Sequence, residues 1–298
     1  MADRYIKQRT DELFDLSAQE QEFQRKQAFV GVELVPDAHR LLLMNAMLHG
    51  IESEMLLGDT LSSMGARLPK TDVIMTNPPF GTKRGGGRPT RDDFIYVTGN
   101  KQLAFLQHVY RALKPGGRAA VVMPDNVLFE EGTGAKIRAD LMDKCNLHTI
   151  LRLPTGIFYA QGVKTNVLFF TRGAIDTGNT QKVWVYDLRT NMPAFGKRTP
   201  LTHEHFAEFE AGYGSRSDGT SERVDQGGEG RFRCFTRKEI AKRGDNLDIS
   251  WLKDDEPHLA DGLPEPEDVA ALIREKLQIA IEEMDALTAL LEGEEVEA

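Results

Sequence analysis

Cysteine is scarce in this chain: two residues in 298. That is too few for a disulfide framework or a four-thiolate zinc site, and it fits a reducing compartment. Cys145, Cys234 and the seven histidines show no ligand spacing, so no metal is expected. Long apolar runs are also missing. Nothing approaches the roughly 18–20 residues of a membrane span, and no apolar stretch follows Met1-Ala2-Asp3-Arg4 to suggest a signal peptide. A cytoplasmic location without membrane contact is the expectation. Basic residues nearly vanish at the far end: residues 254–298 hold 15 acidic and 2 basic side chains, against 31 and 35 in the preceding 253. The body is therefore mildly basic, a sign compatible with a polyanionic partner. With 40% hydrophobic and 28% charged residues, disorder throughout is excluded.

What is present reads as alternating short strands and helices. Apolar runs over residues 28–33, 54–59, 72–76, 118–124, 148–153, 165–171 and 182–187 predict strands. Residues 36–49, 103–113 and 135–144 predict helices, the first opened by Pro36 and closed by Gly50. Residues 1–25 read as helix and loop. This alternation predicts an α/β fold: a doubly wound, largely parallel sheet with helices on both faces. Ligands of such sheets bind at the carboxyl ends of the strands. Glu33, Asp59 and Asn77-Pro78-Pro79-Phe80 each fall at such an end, so one crevice is expected to gather all three.

The pattern changes after about residue 187. Residues 1–190 form the expected catalytic domain, 191–245 an irregular linker, and 246–298 a docked segment followed by an acidic helix. Residues 211–230 are rich in Gly and Ser. From Pro266 to about Leu291, Ile273, Leu277, Ala280, Met284, Leu287 and Leu291 step by four and three residues, a heptad seam. Beside its many glutamates, that seam favours pairing with a partner helix over packing on its own domain.

Asn77-Pro78-Pro79-Phe80 is the sharpest feature. Two consecutive prolines have fixed φ and no N–H donors, so the turn offers mainly carbonyl oxygens. Asn77 adds a side-chain acceptor and Phe80 a flat apolar face. The set suits a planar group with an exocyclic amine: two acceptors for two N–H bonds, and one ring for the π face. The alternative is a proline turn with Asn as a cap and Phe in the core. For Glu33 the alternative is an exposed loop acid, and for Asp59 a helix cap. Lys83, Arg84, Arg88 and Arg91, in a glycine-rich loop beside the turn, suit phosphate contacts or a solvated loop equally. Phe158 suits a core.

Together these segments resemble a known family. Phe29-Val30-Gly31-Val32-Glu33, Gly58-Asp59-Thr60-Leu61, Asn77-Pro78-Pro79-Phe80-Gly81 and Pro124-Asp125-Asn126-Val127-Leu128-Phe129 look like the modification subunit of type I restriction–modification systems. So do Leu153-Pro154-Thr155-Gly156-Ile157-Phe158 and Gly162-Val163-Lys164-Thr165-Asn166-Val167. The resemblance spans about residues 1–190, with an echo at 246–251. It implies a Rossmann-like fold that uses S-adenosyl-L-methionine to methylate adenine N6 in DNA. By the same resemblance Glu33 holds the cofactor ribose and Asp59 its adenine amine. Asn77, Pro78, Pro79 and Phe80 form the catalytic turn for a base swung out of the helix. Phe158 and Lys164 lie near that base. The implied partners are DNA, a specificity subunit met by the C-terminal helix, and a restriction nuclease subunit.

One family element is lacking. The glycine-rich cofactor loop belongs upstream of Glu33, yet no glycine precedes Gly31. Residues 3–7 resemble the helix that follows that loop. The expectation is a chain lacking its first strand, which would lie between the strands ending at Glu33 and Asn77. Both neighbours would lose a ladder partner, and the chain alone would bind cofactor poorly. A non-catalytic assembly component that binds the specificity subunit, and an amino-methyltransferase acting on RNA or protein glutamine, are the competing functions.

Overall fold

The computed structural model describes residues 2–80, 89–158, 163–193, 195–196 and 199–253. The chain divides into two compact units, Met1–Lys70 with Pro89–Ile95, and Thr71–Arg88 with Tyr96–Ala298.

The first unit carries α1 (Ala2–Arg9), α2 (Ala18–Lys26), β1 (Gly31–Glu33), α3 (Pro36–Leu48), β2 (Met55–Leu57) and α4 (Ser63–Ala66). Ser17 starts α2 with a capping box: its hydroxyl accepts from the Glu20 N–H, and the Glu20 carboxylate accepts from the Ser17 N–H. β1 and β2 form a parallel pair, in register from Gly31–Met55 to Glu33–Leu57. Apolar burial here is thin. Among the described residues of this unit, Leu13, Ala46, Leu61 and Phe94 are the buried hydrophobics, whereas Leu41, Met44, Met47 and Leu48 on α3 are exposed.

The second unit contains β3 (Thr71–Thr76), α5 (Lys101–Ala112), β4 (Leu113–Pro124), α6 (Asn126–Phe129), α7 (Thr133–Lys144), β5 (Cys145–Arg152), β6 (Thr165–Arg172) and β7 (Lys182–Asp187). A single 3-10 turn, His203–Phe206, leads into α8 (Ala207–Tyr213), and β8 (Phe232–Thr236) and α9 (Arg237–Lys242) follow. The strands form one sheet in the order β3-β4-β6-β5-β7-β8. The pairings make β3, β4, β5 and β7 parallel, with β6 and β8 antiparallel to their neighbours. The core is dense. Helix α5 buries Leu103, Leu106, Val109 and Tyr110, at helical spacing, against Val121, Ile137, Leu141, Ile150 and Phe170. Asn100 starts α5, its Oδ1 accepting from the Gln102 and Leu103 N–H groups. A second cluster joins Leu151, Trp184, Tyr186, Phe209 and Phe232.

The fold class is as expected, an α/β sheet that is mostly parallel, with two differences. First, β6 enters antiparallel between β4 and β5. Second, the sheet does not end at residue 190. Within the expected linker 191–245, β8 pairs with β7 along Lys182–Thr236 to Tyr186–Phe232, and α9 buries Ile240. In the 246–251 segment the Leu247 N–H donates to the Leu128 carbonyl, and Trp251 Nε1 donates to the Gly230 carbonyl at 2.8 Å. The expected helix over 266–291 lies outside the described residues.

Among the described residues β1 has a ladder with β2 alone, and β3 with β4 alone. Along β3, Val73 and Met75 are 48% and 64% exposed. No helix of the described residues is long and apolar enough to cross a membrane.

Candidate active site

In the first unit, Glu33 and Asp59 stand at the carboxyl ends of two hydrogen-bonded strands. Glu33 closes β1, and Asp59 lies two residues beyond Leu57, which is its register partner. The Gly58 N–H donates to the Glu33 carbonyl at 2.9 Å and ties the two ends together. Glu33 Oε1 accepts from the Val35 N–H at 2.8 Å, which fixes the carboxylate, and its other oxygen has no partner among the described residues.

Asp59 sits in a tightly wound turn. Its Oδ1 accepts from the Leu61 N–H at 2.8 Å, and its carbonyl accepts from the Ser62 N–H and hydroxyl. Ser62 Oγ then accepts from the Met64 N–H to start α4. Gly65 is required here. A Cβ at Gly65 would come within 1.9 Å of the Thr60 carbonyl oxygen. The helix-cap reading of Asp59 is thus met in part, since it organises the turn that leads into α4.

In the second unit, Asn77-Pro78-Pro79-Phe80 leaves the carboxyl end of β3. Pro78 is buried, Asn77 is exposed, and Phe80 is half-buried. Asn77 makes no hydrogen bond among the described residues, so its acceptor is available. The core reading of Phe80 is not met in full, because the residue is only half-buried.

The same edge holds a network that sequence reasoning missed. Asp125 follows β4, Leu153 follows β5, Thr165 and Asn166 begin β6, and Asp187 ends β7. Arg189 joins them. Its Nη1 and Nη2 donate to Asp125 Oδ2 and Oδ1 at 2.9 Å each, its Nε to the Leu153 carbonyl at 3.0 Å, and its Nη2 also to the Thr165 carbonyl at 3.0 Å. Asn166 Nδ2 adds a bond to Asp125 at 2.7 Å. Burial pushes the Asp125 carboxyl up, but Arg189, Asn166 and Arg152 outweigh it and hold the group below the ordinary carboxylate value. Arg152 lies 3.8 Å from Asp187 and donates to the Ile249 carbonyl, which anchors the docked segment. Four neighbouring strand ends are thereby clamped beside the strand that carries Asn77.

The remaining predicted residues fall differently. Arg91 is not on the surface. Its side chain is 3% exposed and grips Asp93 through Nε–Oδ1 at 2.7 Å and Nη2–Oδ2 at 2.6 Å. A guanidinium spent in this way does not meet a phosphate, and the acid two residues along the chain is the reason. Lys83, Arg84 and Arg88 lie outside the described residues. Phe158 is half-buried against the second cluster, so the core reading holds for part of its ring. Lys164 is exposed just before β6, and its carbonyl accepts from the Asp125 N–H at 3.0 Å.

Comparison with known proteins agrees with these motifs. The sequence model described as N-6 DNA Methylase matches residues 3–258. The chain is 51% identical to the type I restriction enzyme StySPI methylase subunit of Salmonella potsdam, over all of this chain and 63% of that protein. It is also 51% identical to the EcoKI methylase subunit of Escherichia coli K12, over 96% of this chain and 60% of that one. The crystal structure of the EcoKI M protein superposes with a TM-score of 0.81 at 50% identity, covering 97% of this chain and 65% of that one. The chain therefore spans about three fifths of the length of these relatives. With a family match over most of its length and the motif order intact, the chain belongs to the N-6 DNA methylase family.

Proposed function

We propose that this chain transfers a methyl group from S-adenosyl-L-methionine to adenine N6 in DNA, as the modification subunit of a type I restriction–modification system. The observation that carries the reading is the exposed Asn77 amide, without a hydrogen-bond partner among the described residues, followed by two prolines at the carboxyl end of β3. Asn77 Oδ1 and the Pro78 carbonyl accept the two N6 hydrogens, which draws the nitrogen lone pair out of conjugation with the purine. Phe80 stacks on the base. No strong base is required, because orientation and hydrogen bonding carry the catalysis.

The first unit fits the cofactor in its donor and acceptor chemistry. The open Glu33 oxygen suits a ribose hydroxyl, and the fixed Asp59 carboxylate suits an exocyclic amine. When bound, S-adenosyl-L-methionine supplies the electrophilic methyl. The open side of β3 adds a condition: efficient transfer needs a further strand there. Lys83, Arg84 and Arg88 would follow the DNA backbone, with Phe158 and Lys164 close to the extruded base. A specificity subunit would read the sequence and meet the heptad seam, with a restriction nuclease subunit joining the same assembly.

The test uses the full chain with a type I specificity subunit, with and without an added polypeptide that carries an Asp-Pro-x-x-Gly-x-Gly-like loop. Tritiated S-adenosyl-L-methionine is offered with DNA, RNA and protein substrates, and labelled nucleosides are identified. Label in N6-methyladenine of DNA is expected, falling at least about a hundredfold in Asn77→Ala with an unchanged melting temperature. Label confined to RNA or protein, or full activity in Asn77→Ala, would overturn the reading.

A further inference from the structure

Arg91 is a cation that the sequence points outward and the fold turns inward. It belongs to the same compact unit as Asp59. Besides gripping Asp93, its Nη1 donates to the Thr60 carbonyl at 3.2 Å, the residue next to Asp59. The Phe94 ring covers the guanidinium, with its carbon 4.5 Å from the ring centroid, and Phe94 is itself 7% exposed. Gly65 shares this packing, since a Cβ there would meet both the Thr60 carbonyl and Arg91 Nη1. The Asp59 turn is thus held from inside by its own hydrogen bonds, and from outside by an arginine thirty residues further along the chain.

We propose that Arg91 is a positioning residue for the cofactor: strapped to Asp93 and roofed by Phe94, it holds the Thr60 carbonyl and so aims the Asp59 carboxylate. The proposal rests on the cofactor reading of Asp59. Arginine suits the role because its planar fork serves two partners at once. A Lys ammonium at that site would reach one of them, so Arg91→Lys keeps the charge but loosens the turn. The strap also assigns a task to the segment 89–95, which belongs to the first unit.

Three variants separate this role from the alternatives: Arg91→Lys, Asp59→Ala and the two combined. Each is prepared as the full chain and titrated with S-adenosyl-L-methionine by saturation-transfer NMR to millimolar concentration. Duplex DNA affinity is measured over a salt series for a fourth variant, Arg91→Gln, which removes the charge. Arg91→Lys is expected to weaken cofactor binding about three- to tenfold and to add nothing in the Asp59→Ala background, and Arg91→Gln to leave the salt slope of DNA binding unchanged. A phosphate contact would instead lower that slope by about 0.9 in Arg91→Gln, and a general loss of structure would weaken cofactor binding equally in both backgrounds; either result overturns the proposal. An unchanged affinity in Arg91→Lys beside a weakened Asp59→Ala overturns the strap alone. Unchanged affinity in Asp59→Ala overturns the cofactor reading beneath it. Should Arg91→Lys melt early, Asp93→Asn, which frees the same fork without touching the arginine, must reproduce the effect.

Discussion

Replacing Arg189 by Met removes the side-chain clamp on three strand ends, those of β4, β5 and β6, while keeping most of the side-chain volume. Its guanidinium is 10% exposed and Asp125 is 17% exposed, so water does little to compensate the lost pair. Asp125 would keep the Asn166 Nδ2 bond at 2.7 Å and lose both bonds to arginine, and the Leu153 and Thr165 carbonyls would lose a donor. Removing one member of a buried ion pair costs about 3–5 kcal/mol. The residual exposure of Asp125 argues for the lower end, about 3 kcal/mol, or a fall in melting temperature of roughly 6–12 °C for a unit of this size.

The pH dependence has a definite sign. In the native chain the Asp125 carboxyl lies below its ordinary value, so its contribution is present above the unfolded value of about 3.9 and lost as pH falls through the folded one. Without Arg189, only Asn166 and Arg152 oppose burial, so the carboxyl moves up from its native position and the stability it contributes at neutral pH shrinks, a difference that fades once the group is protonated. The gap between native and Arg189→Met chains is therefore widest near neutrality and narrows below about pH 4. Urea melts of Arg189→Met, Asp125→Asn and the double variant supply the assay. The double variant is expected to be more stable than the sum of the single losses allows, because no charge is left buried alone. A loss below about 1 kcal/mol for Arg189→Met, or strict additivity, would refute the reasoning.

Two further substitutions probe other parts of the chain. Gly65→Ala forces a methyl against the Thr60 carbonyl, so the turn must shift. A loss of about 1–3 kcal/mol, with faster hydrogen exchange at the Leu61 and Ser62 amides, is expected, and an unchanged exchange pattern would contradict the close approach. His148, 3% exposed beneath Gly219 and facing Arg223, Tyr213 and Asp218, has its imidazole pushed down to about 3, first by burial and then by Arg223. Its folded value lies below the unfolded one, so the chain loses stability as pH falls from about 6.5 towards 3. In His148→Phe that slope should flatten, as acid-dependent melting would show.

The elements were largely legible because period and punctuation agree with packing. Pro36 and Gly50 bracket α3, and Asn100 sits where α5 needs an acceptor. Strand direction was not written there. One signal was available: residues 153–164 contain no helical pattern, and too short a crossover disfavours a parallel return, which fits the antiparallel entry of β6. Lys114-Pro115-Gly116-Gly117 reads as the stop of the helix over 103–113, and α5 does end at Ala112, but the following strand starts before Arg118. The strand begins at Leu113 and absorbs these residues where its register against β3 shifts, between the Leu113 and Arg118 pairs, with Gly116 at a φ of +78°. Asp125 and Arg189 escaped notice because 64 residues separate them, and such pairs exist only in the fold. Arg91 misled because its glycine-rich, basic surroundings describe a loop, while Asp93 and Phe94 decide where its guanidinium goes.

The polar groups sort by what an unpaired atom costs. A carboxylate or amide meant for a ligand must reach it with an acceptor open, and that is tolerable only where water can fill the gap. Glu33 meets the requirement by spending one oxygen on the Val35 N–H and leaving the other open. Asn77 meets it by being exposed and held through the prolines that follow. Arg91 is buried and Arg189 and Asp125 are mostly shielded from water, so each is committed to protein partners, and each sets the course of a backbone segment. The two sets should separate in experiment: substitutions of Glu33 or Asn77 change affinity or rate at nearly constant stability, whereas substitutions of Arg189 or Asp125 lower stability first, with any change in activity following from the displaced strand ends.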